Sequence, residues 1–255
     1  MRHIALHLLT ISLAIVMTGT GQDADYWLAQ TASDYRNGTY SLALQDIEEY
    51  LDLNSSDLWA WNFKANLLIK LKRYHEAVDS FDQIIQLDPS SSQAYNDRAL
   101  ILSGALRQDQ EALDSLDEAL EINPNDANIW YNKGIILEKQ KRYNDSLDAF
   151  GKATTLDPSL DKAWYRQGLV LGMMGRYNDS LQYLNLAIEQ NPKNADAWNT
   201  KGLFLMELNS SEDALICLEK ATSLDPSNRD FLNNRNEALM AVGRQPEKKV
   251  VLDFS

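Results

Sequence analysis

Few residues in this chain have the types and spacing that catalysis requires. Histidine occurs three times, at His3, His7 and His75, and cysteine once, at Cys217. A histidine general base with its partners, a histidine cage for a metal and a thiolate zinc site each need several such side chains at set offsets. A lone thiol also excludes an intramolecular disulfide, and Cys217 beside Leu218 reads as an inert, half-buried sulfhydryl. Carboxylates are plentiful, with Glu48–Glu49, Glu118–Glu121 and Asp225 among them. General acid–base work, however, needs two carboxyls facing each other across a cleft in contrasting environments, which these spacings do not dictate. On a helix face such charges solvate the surface. There is no glycine-rich phosphate loop and no serine–histidine pair with a third member. The expectation is a chain that is not an enzyme and uses no metal and no cofactor.

What remains is recognition. Lysine and arginine number 24 against 37 acids, a formal charge of -13, which repels phosphate backbones, so nucleic acid is not expected as a partner. With 255 residues, 44% hydrophobic and 24% charged, the chain can bury a sizeable core unaided. Arg2 precedes an apolar run from Ile4 to Met17 and then the small residues Thr18-Gly19-Thr20-Gly21. That order predicts a signal peptide over 1–21, cut after Thr20 or Gly21, and an exported protein of the cell envelope or exterior. An uncleaved N-terminal anchor, the one route to a membrane, or a cytoplasmic chain is the alternative. Five Asn-x-Ser/Thr sequons, at Asn37, Asn54, Asn144, Asn178 and Asn209, are candidates for glycosylation if the chain is exported.

Beyond residue 23 the chain repeats itself. Prolines at 89, 124, 158, 192 and 226 are spaced 35, 34, 34 and 34. The aromatics Trp27, Trp61, Tyr95, Trp130, Trp164 and Trp198 are spaced 34, 34, 35, 34 and 34, with the extra residue in the same repeat. Tyr95 to Ala112 is one residue longer than Trp61 to Ala77, which places the insertion between Gly104 and Gln110, in a turn. Each period reads as two amphipathic helices, for example Gly134, Ile135 and Leu137 after Trp130, then Leu147, Phe150 and Ala153 after Tyr143. Leu-Asp-Pro-Ser at 87–90, 156–159 and 224–227 closes a pair, its proline breaking the helix and its serine able to cap the next. Ala65, Ala99, Gly134, Gly168 and Gly202 lie four after the aromatic, where a missing side chain admits a neighbouring helix. Ala77, Ala112, Ser146, Ser180 and Ala214 are the matching small residues on the second helix.

Trp164-x2-Gln167-Gly168-x2-Leu171, then Ser180-x3-Leu184-x2-Ala187 and Pro192, resembles the tetratricopeptide repeat. Six such repeats can be laid down, at 24–57, 58–91, 92–126, 127–160, 161–194 and 195–228, followed by a capping helix at 229–243 and a tail at 244–255. The first departs most, with Thr31 at the small position, Asp34 where an apolar or aromatic residue belongs and Ser55 for proline; a terminal repeat has one uncovered face. The resemblance implies an all-α fold, a right-handed superhelix of helix-turn-helix repeats whose first helices line a concave groove. It also implies which positions face that groove. At one of them stand Asn62, Asn96, Tyr131, Tyr165 and Asn199; four residues on, and so on the same helix face, stand Asn66, Leu100, Ile135, Leu169 and Leu203.

Asparagines offer a donor and an acceptor to the backbone of an extended peptide, and the tyrosines and leucines offer pockets; equally, such an apolar row fills the seam between helices. Lys162 and Arg166, with Asn132, match part of the carboxylate clamp found in some members of this family, whereas Asn96 and Leu100 do not match its remaining places. The tail carries Lys248-Lys249 and then Val250, Leu252 and Phe254 in alternation. The expectation is a non-catalytic scaffold that holds an extended peptide or partner helix, with an acidic or carboxylate end at Lys162 and Arg166. The alternative is a self-associating structural subunit, a homo-oligomer, or an adaptor of an envelope-associated assembly.

Overall fold

The computed structural model describes residues 23–245; the expected signal peptide and the tail from Pro246 on lie outside them. The chain divides after Pro124 into two compact units. The first holds α1 (Ala24–Asn37), α2 (Tyr40–Leu53), α3 (Leu58–Lys70), α4 (Tyr74–Leu87), α5 (Ser92–Ile101) and α6 (Asp109–Ile122). The second holds α7 (Ala127–Lys139), α8 (Tyr143–Leu156), α9 (Asp161–Met173), α10 (Tyr177–Gln190), α11 (Ala195–Glu207), α12 (Ser211–Leu224) and α13 (Arg229–Ala241). Within each unit, odd and even helices pair as antiparallel hairpins and each hairpin packs on the next. Among the described residues all regular structure is helical. None of these helices is long and apolar enough to cross a membrane.

The start of each first helix is fixed by a side-chain acceptor. Asp23, Asp57, Ser91, Asp126, Asn194 and Asn228 accept backbone N–H groups of the first turn, each cap contributing about 1 kcal/mol. Only α9 lacks one, since its cap position is Leu160. The serines of the Leu-Asp-Pro-Ser segments act differently from the expectation. Ser90, Ser159 and Ser227 donate to Asp88, Asp157 and Asp225 at 2.6, 2.6 and 2.7 Å, so they tie off the turn rather than cap the helix after it. The indole N–H groups of Trp61, Trp164 and Trp198 reach back six residues to the carbonyls of Ser55, Pro158 and Pro192 at 2.8, 2.9 and 3.1 Å.

Each first helix ends at a residue of positive φ: Gly38, Lys72, Arg107, Lys141, Gly175, Asn209 and Gly243. These are spaced by 34 or 35 residues like the prolines, but four of the seven are not glycine, which hides the landmark from sequence. In six of these seven turns the amide after this residue closes on a carbonyl five residues back, as in Arg73 to Leu68 at 2.8 Å. In the third repeat Gln108 closes on Leu102, six residues back, at 2.8 Å. The extra residue expected in the turn is thus taken up earlier, as a π-helical turn over Leu102–Leu106 that widens the end of α5.

Small residues let the paired helices meet. A Cβ on Gly134 would lie 2.5 Å from Phe150, one on Gly168 2.8 Å from Leu184, and one on Gly202 2.5 Å from Leu218. Where the partner position is serine it also satisfies a carbonyl across the hairpin, Ser146 to Gly134 at 2.9 Å and Ser180 to Gly168 at 2.6 Å. Cys217 is buried against Leu205 and Ala214, and burial raises its thiol above the ordinary value. In the first hairpin Asp34 brings a carboxyl up to Asp46. Burial first, then the hydrogen bond to Asp34 and the charges of Asp34 and Glu49, push Asp46 up to about 6. Its Oδ2 is buried without a hydrogen-bond partner, which further disfavours the charged form.

Candidate peptide-binding face

The expected groove residues fall on first helices of both units. In the first unit Asn66 Nδ2 donates to the carbonyl and the side-chain oxygen of Asn62, at 2.8 and 2.9 Å. The two amides therefore hold each other on one face of α3, and Asn62 lines a recess of about 260 Å³ with Leu58, Trp59 and Phe63. Asn96 departs from the expectation of a ligand-facing amide: it is 6% exposed and donates to Asp97 at 3.3 Å. Leu100 is exposed.

In the second unit the residues gather along α7, α9, α11 and α13. The Lys162 ammonium lies 4.4 Å from the centre of the Tyr131 ring and 3.4 Å from Asn128 Oδ1. A cation–π contact of this kind contributes about 0.5–1 kcal/mol where water reaches it, and Lys162 itself is exposed. Arg166 pairs with Glu138 at 3.0 Å, the two side chains being 33% and 12% exposed. Burial opposes the guanidinium charge, but Glu138 and the Tyr131 hydroxyl outweigh it and hold Arg166 above its ordinary value. At Glu138 burial wins over Arg166 and lifts the carboxyl, in keeping with its Oε2, which is buried without a hydrogen bond. Asn132 and Ile135 are half-buried on α7.

Further along, the Tyr165 hydroxyl lies 3.4 Å from that of Thr200, and burial raises its pKa. Asn234 Nδ2 donates to Asn199 at 2.9 Å. Leu169 and Leu203 line a cleft of about 630 Å³. Met173, Tyr177, Phe204 and Met206 complete its apolar part, the Tyr177 and Phe204 rings 5.3 Å apart. Glu207, Asn209, Asn234 and Glu237 give it a polar rim with two carboxylates, both exposed. Positions 162, 166, 169 and 173 recur every three or four residues, so a basic end and an apolar end share one stripe of α9.

Sequence reading missed Glu138, Asn128, Thr200, Asn234 and the cleft rim. Arg166 and Glu138 are 28 residues apart, an offset outside the 34-residue period, so the period cannot announce their pairing. Thr200 and Asn234 lie 35 residues from Tyr165 and Asn199 and were legible in principle as neighbours on successive first helices.

The sequons occupy five settings. Asn37 ends α1, Asn54 follows α2, and Asn209 sits in the turn after α11. Asn144 and Asn178 are exposed near the starts of α8 and α10, yet their serines, Ser146 and Ser180, are fully buried. Those two sequons contain the small packing residue of the repeat. Among the described residues no cluster of His, Cys, Asp or Glu has the makeup of a metal site.

Helical hairpins repeating every 34 residues, each closed by the same turn, define a helical-repeat protein. Models of the tetratricopeptide repeat match residues 127–160 and 161–194 and 183–216, and a model described as TPR repeat matches 107–141. The chain belongs to the tetratricopeptide-repeat family. Residues 5–84 match a model described as anaphase-promoting complex, cyclosome, subunit 3. No curated protein matches the chain.

Among solved structures the chain is similar to PilW, described as a widely conserved type IV pilus biogenesis factor, at 20% identity and a TM-score of 0.68, over 84% of this chain and 99% of that one. It is similar to Pseudomonas aeruginosa pilF at 17% identity and a TM-score of 0.65, over 74% and 86%. YrrB, described as a TPR protein with an unusual peptide-binding site, is 24% identical with a TM-score of 0.58, over 73% and 96%. At such identities the likeness concerns the fold.

Proposed function

We propose that the chain is a non-catalytic protein-interaction scaffold that holds an extended peptide or partner helix along the first helices of its second unit. The observation that carries this reading is the cleft of about 630 Å³ lined by Leu169 and Leu203, continuous along α9 with Arg166 and Lys162. Its volume lies in the range of sites that engulf side chains. One leucine-sized side chain buried there contributes about 1.5–3 kcal/mol, so two or three apolar anchors reach micromolar binding after the ordering cost. Lys162 is the anchor for an acidic group or a carboxylate end. Arg166, already paired with Glu138, orients that site rather than supplying a free charge. Tyr131, Tyr165, Ile135, Asn132 and Asn199 flank the same face. In the first unit Asn62, Asn66 and Leu100 offer a smaller, separate surface.

Export to the cell envelope fits this reading. The apolar run Ile4–Met17 has the order of a signal peptide, and one protein of similar fold is described as a pilus biogenesis factor. An envelope adaptor binds proteins through the same face.

The test is selection of peptides from a display library on the full mature chain. Selected peptides are expected to lose at least roughly ten-fold in affinity with Leu203→Asp, a loss of about 1.4 kcal/mol. Those with acidic ends lose affinity with Lys162→Glu, while circular dichroism stays native. Peptides indifferent to both substitutions contradict the proposal. Reversing Arg166 is a poor test, since it sets a second carboxylate against the half-satisfied Glu138.

A further inference from the structure

The cleft on α9, α11 and α13 has charges at its two ends, and one segment of this chain carries the opposite charges in the opposite order. At one end are the exposed carboxylates of Glu207 and Glu237. Leu169 and Leu203 form the middle, and further along α9 the Lys162 ammonium stands exposed. The residues after Gln245 read Pro-Glu-Lys-Lys-Val-Val-Leu-Asp-Phe-Ser: two lysines, then an apolar stretch that holds one acid, Asp253.

We propose that this tail, residues 246–255, is the intramolecular occupant of the cleft. Lys248 and Lys249 meet Glu207 and Glu237, Val250, Leu252 and Phe254 cover Leu169 and Leu203, and Asp253 lies toward the Lys162 end. In an extended segment residues 250, 252 and 254 share one side, which is the side the apolar floor requires.

Reach and direction agree with this. Gly243 holds in the last repeat the positive-φ position that Asn209, on the cleft rim, holds in the repeat before. The chain therefore leaves α13 about one helix spacing, 8–10 Å, from the rim. From Met173 back to Lys162 is eleven residues of helix, about 16 Å. Ten extended residues span up to about 33–36 Å, enough to cross the two helix spacings from α13 to α9, about 16–20 Å, and to run along the stripe past Leu169. A tethered tail acts at millimolar effective concentration, so a partner must displace it, and the tail sets the threshold for binding.

The inference rests on the peptide-binding face proposed above. Full-length protein labelled with 13C-methyl methionine gives probes inside the cleft, Met173 and Met206, and Met174 outside it. In the Leu252→Ala/Phe254→Ala chain the first two methyls are expected to shift, and an added synthetic peptide of residues 246–255 to restore them. That peptide should bind the substituted chain at least roughly ten-fold tighter than the native chain, whose own tail competes. Glu207→Lys with Glu237→Lys should abolish the native shift, and adding Lys248→Glu with Lys249→Glu should bring it back. Identical methyl positions in native and substituted chains, or a shift that grows with protein concentration and so comes from a second copy, overturns the proposal. If display-selected peptides still depend on Leu203 while the tail peptide is inert, the tail falls and the face stands. If both are inert, both fall.

Discussion

At the residue scale one departure from the repeat has a clear physical consequence. Asp34 occupies the place that Leu68, Leu137, Leu171 and Leu205 hold in other repeats, and burial, joined by the hydrogen bond and charge of this second carboxyl, raises Asp46 to about 6. An unfolded aspartate titrates near 3.9, so the folded chain binds the extra proton between these values. The stability this gives is complete below about 4 and is lost as pH rises through about 6. Asp46→Asn is therefore expected to raise stability relative to the parent at pH 7.5 and to lose that advantage at pH 4.5, read by urea unfolding at both. An advantage equal at both pH values contradicts the raised Asp46 carboxyl. Glycine positions separate in the same way. Gly202→Ala places a methyl 2.5 Å from the fully buried Leu218 and 3.1 Å from the Ala214 carbonyl, so overpacking of about 1–3 kcal/mol offsets the gain of about 1 kcal/mol in helix propensity. Gly172→Ala meets the Phe204 ring, which is half-buried and can turn into the cleft, so its effect falls on binding. Urea midpoints distinguish the two, and a stabilised Gly202→Ala chain contradicts the packing account. The small positions were legible because they recur at 34. The burial of Asn96 and the Glu138–Arg166 pair were not, since each depends on which neighbour the fold brings alongside.

At the element scale the 34-residue rhythm of prolines and aromatics announces helical hairpins. Amphipathic period and helix-breaking punctuation are local properties, and local properties survive in sequence. The handling of the extra residue is not local. Sequence places it in a turn, whereas the end of α5 absorbs it as a π-helical turn because Leu102 and Ser103 are held, the first by burial and the second by a 2.7 Å hydrogen bond to Asp109. Gly104 and Ala105 point to solvent. Deleting Ala105 is expected to return this helix end to the five-residue closure of its neighbours, with unchanged helicity and a melting temperature within a few degrees of the parent. A broad, uncooperative melt would show that the π turn is required by its surroundings.

For the whole molecule the central claim is that a chain poor in catalytic residues carries its function on one face of the first helices of its second unit. A net charge of -13 keeps such a scaffold from phosphate backbones and leaves Lys162 as an exposed cation on an acidic protein. The face is legible in sequence only as a set of positions implied by the repeat; its depth, its acidic rim and its continuity along α9 come from packing. The most direct measurement is site-specific photo-crosslinking in the organism of origin, with a benzophenone side chain at position 203 in the cleft and, as control, at position 216, where Ile216 is 63% exposed on α12. Crosslinks from position 203 to a defined segment of another protein, or to the chain's own tail, with few from position 216, are the predicted result. Partner crosslinks that arise from position 216 and not from 203 would contradict the account.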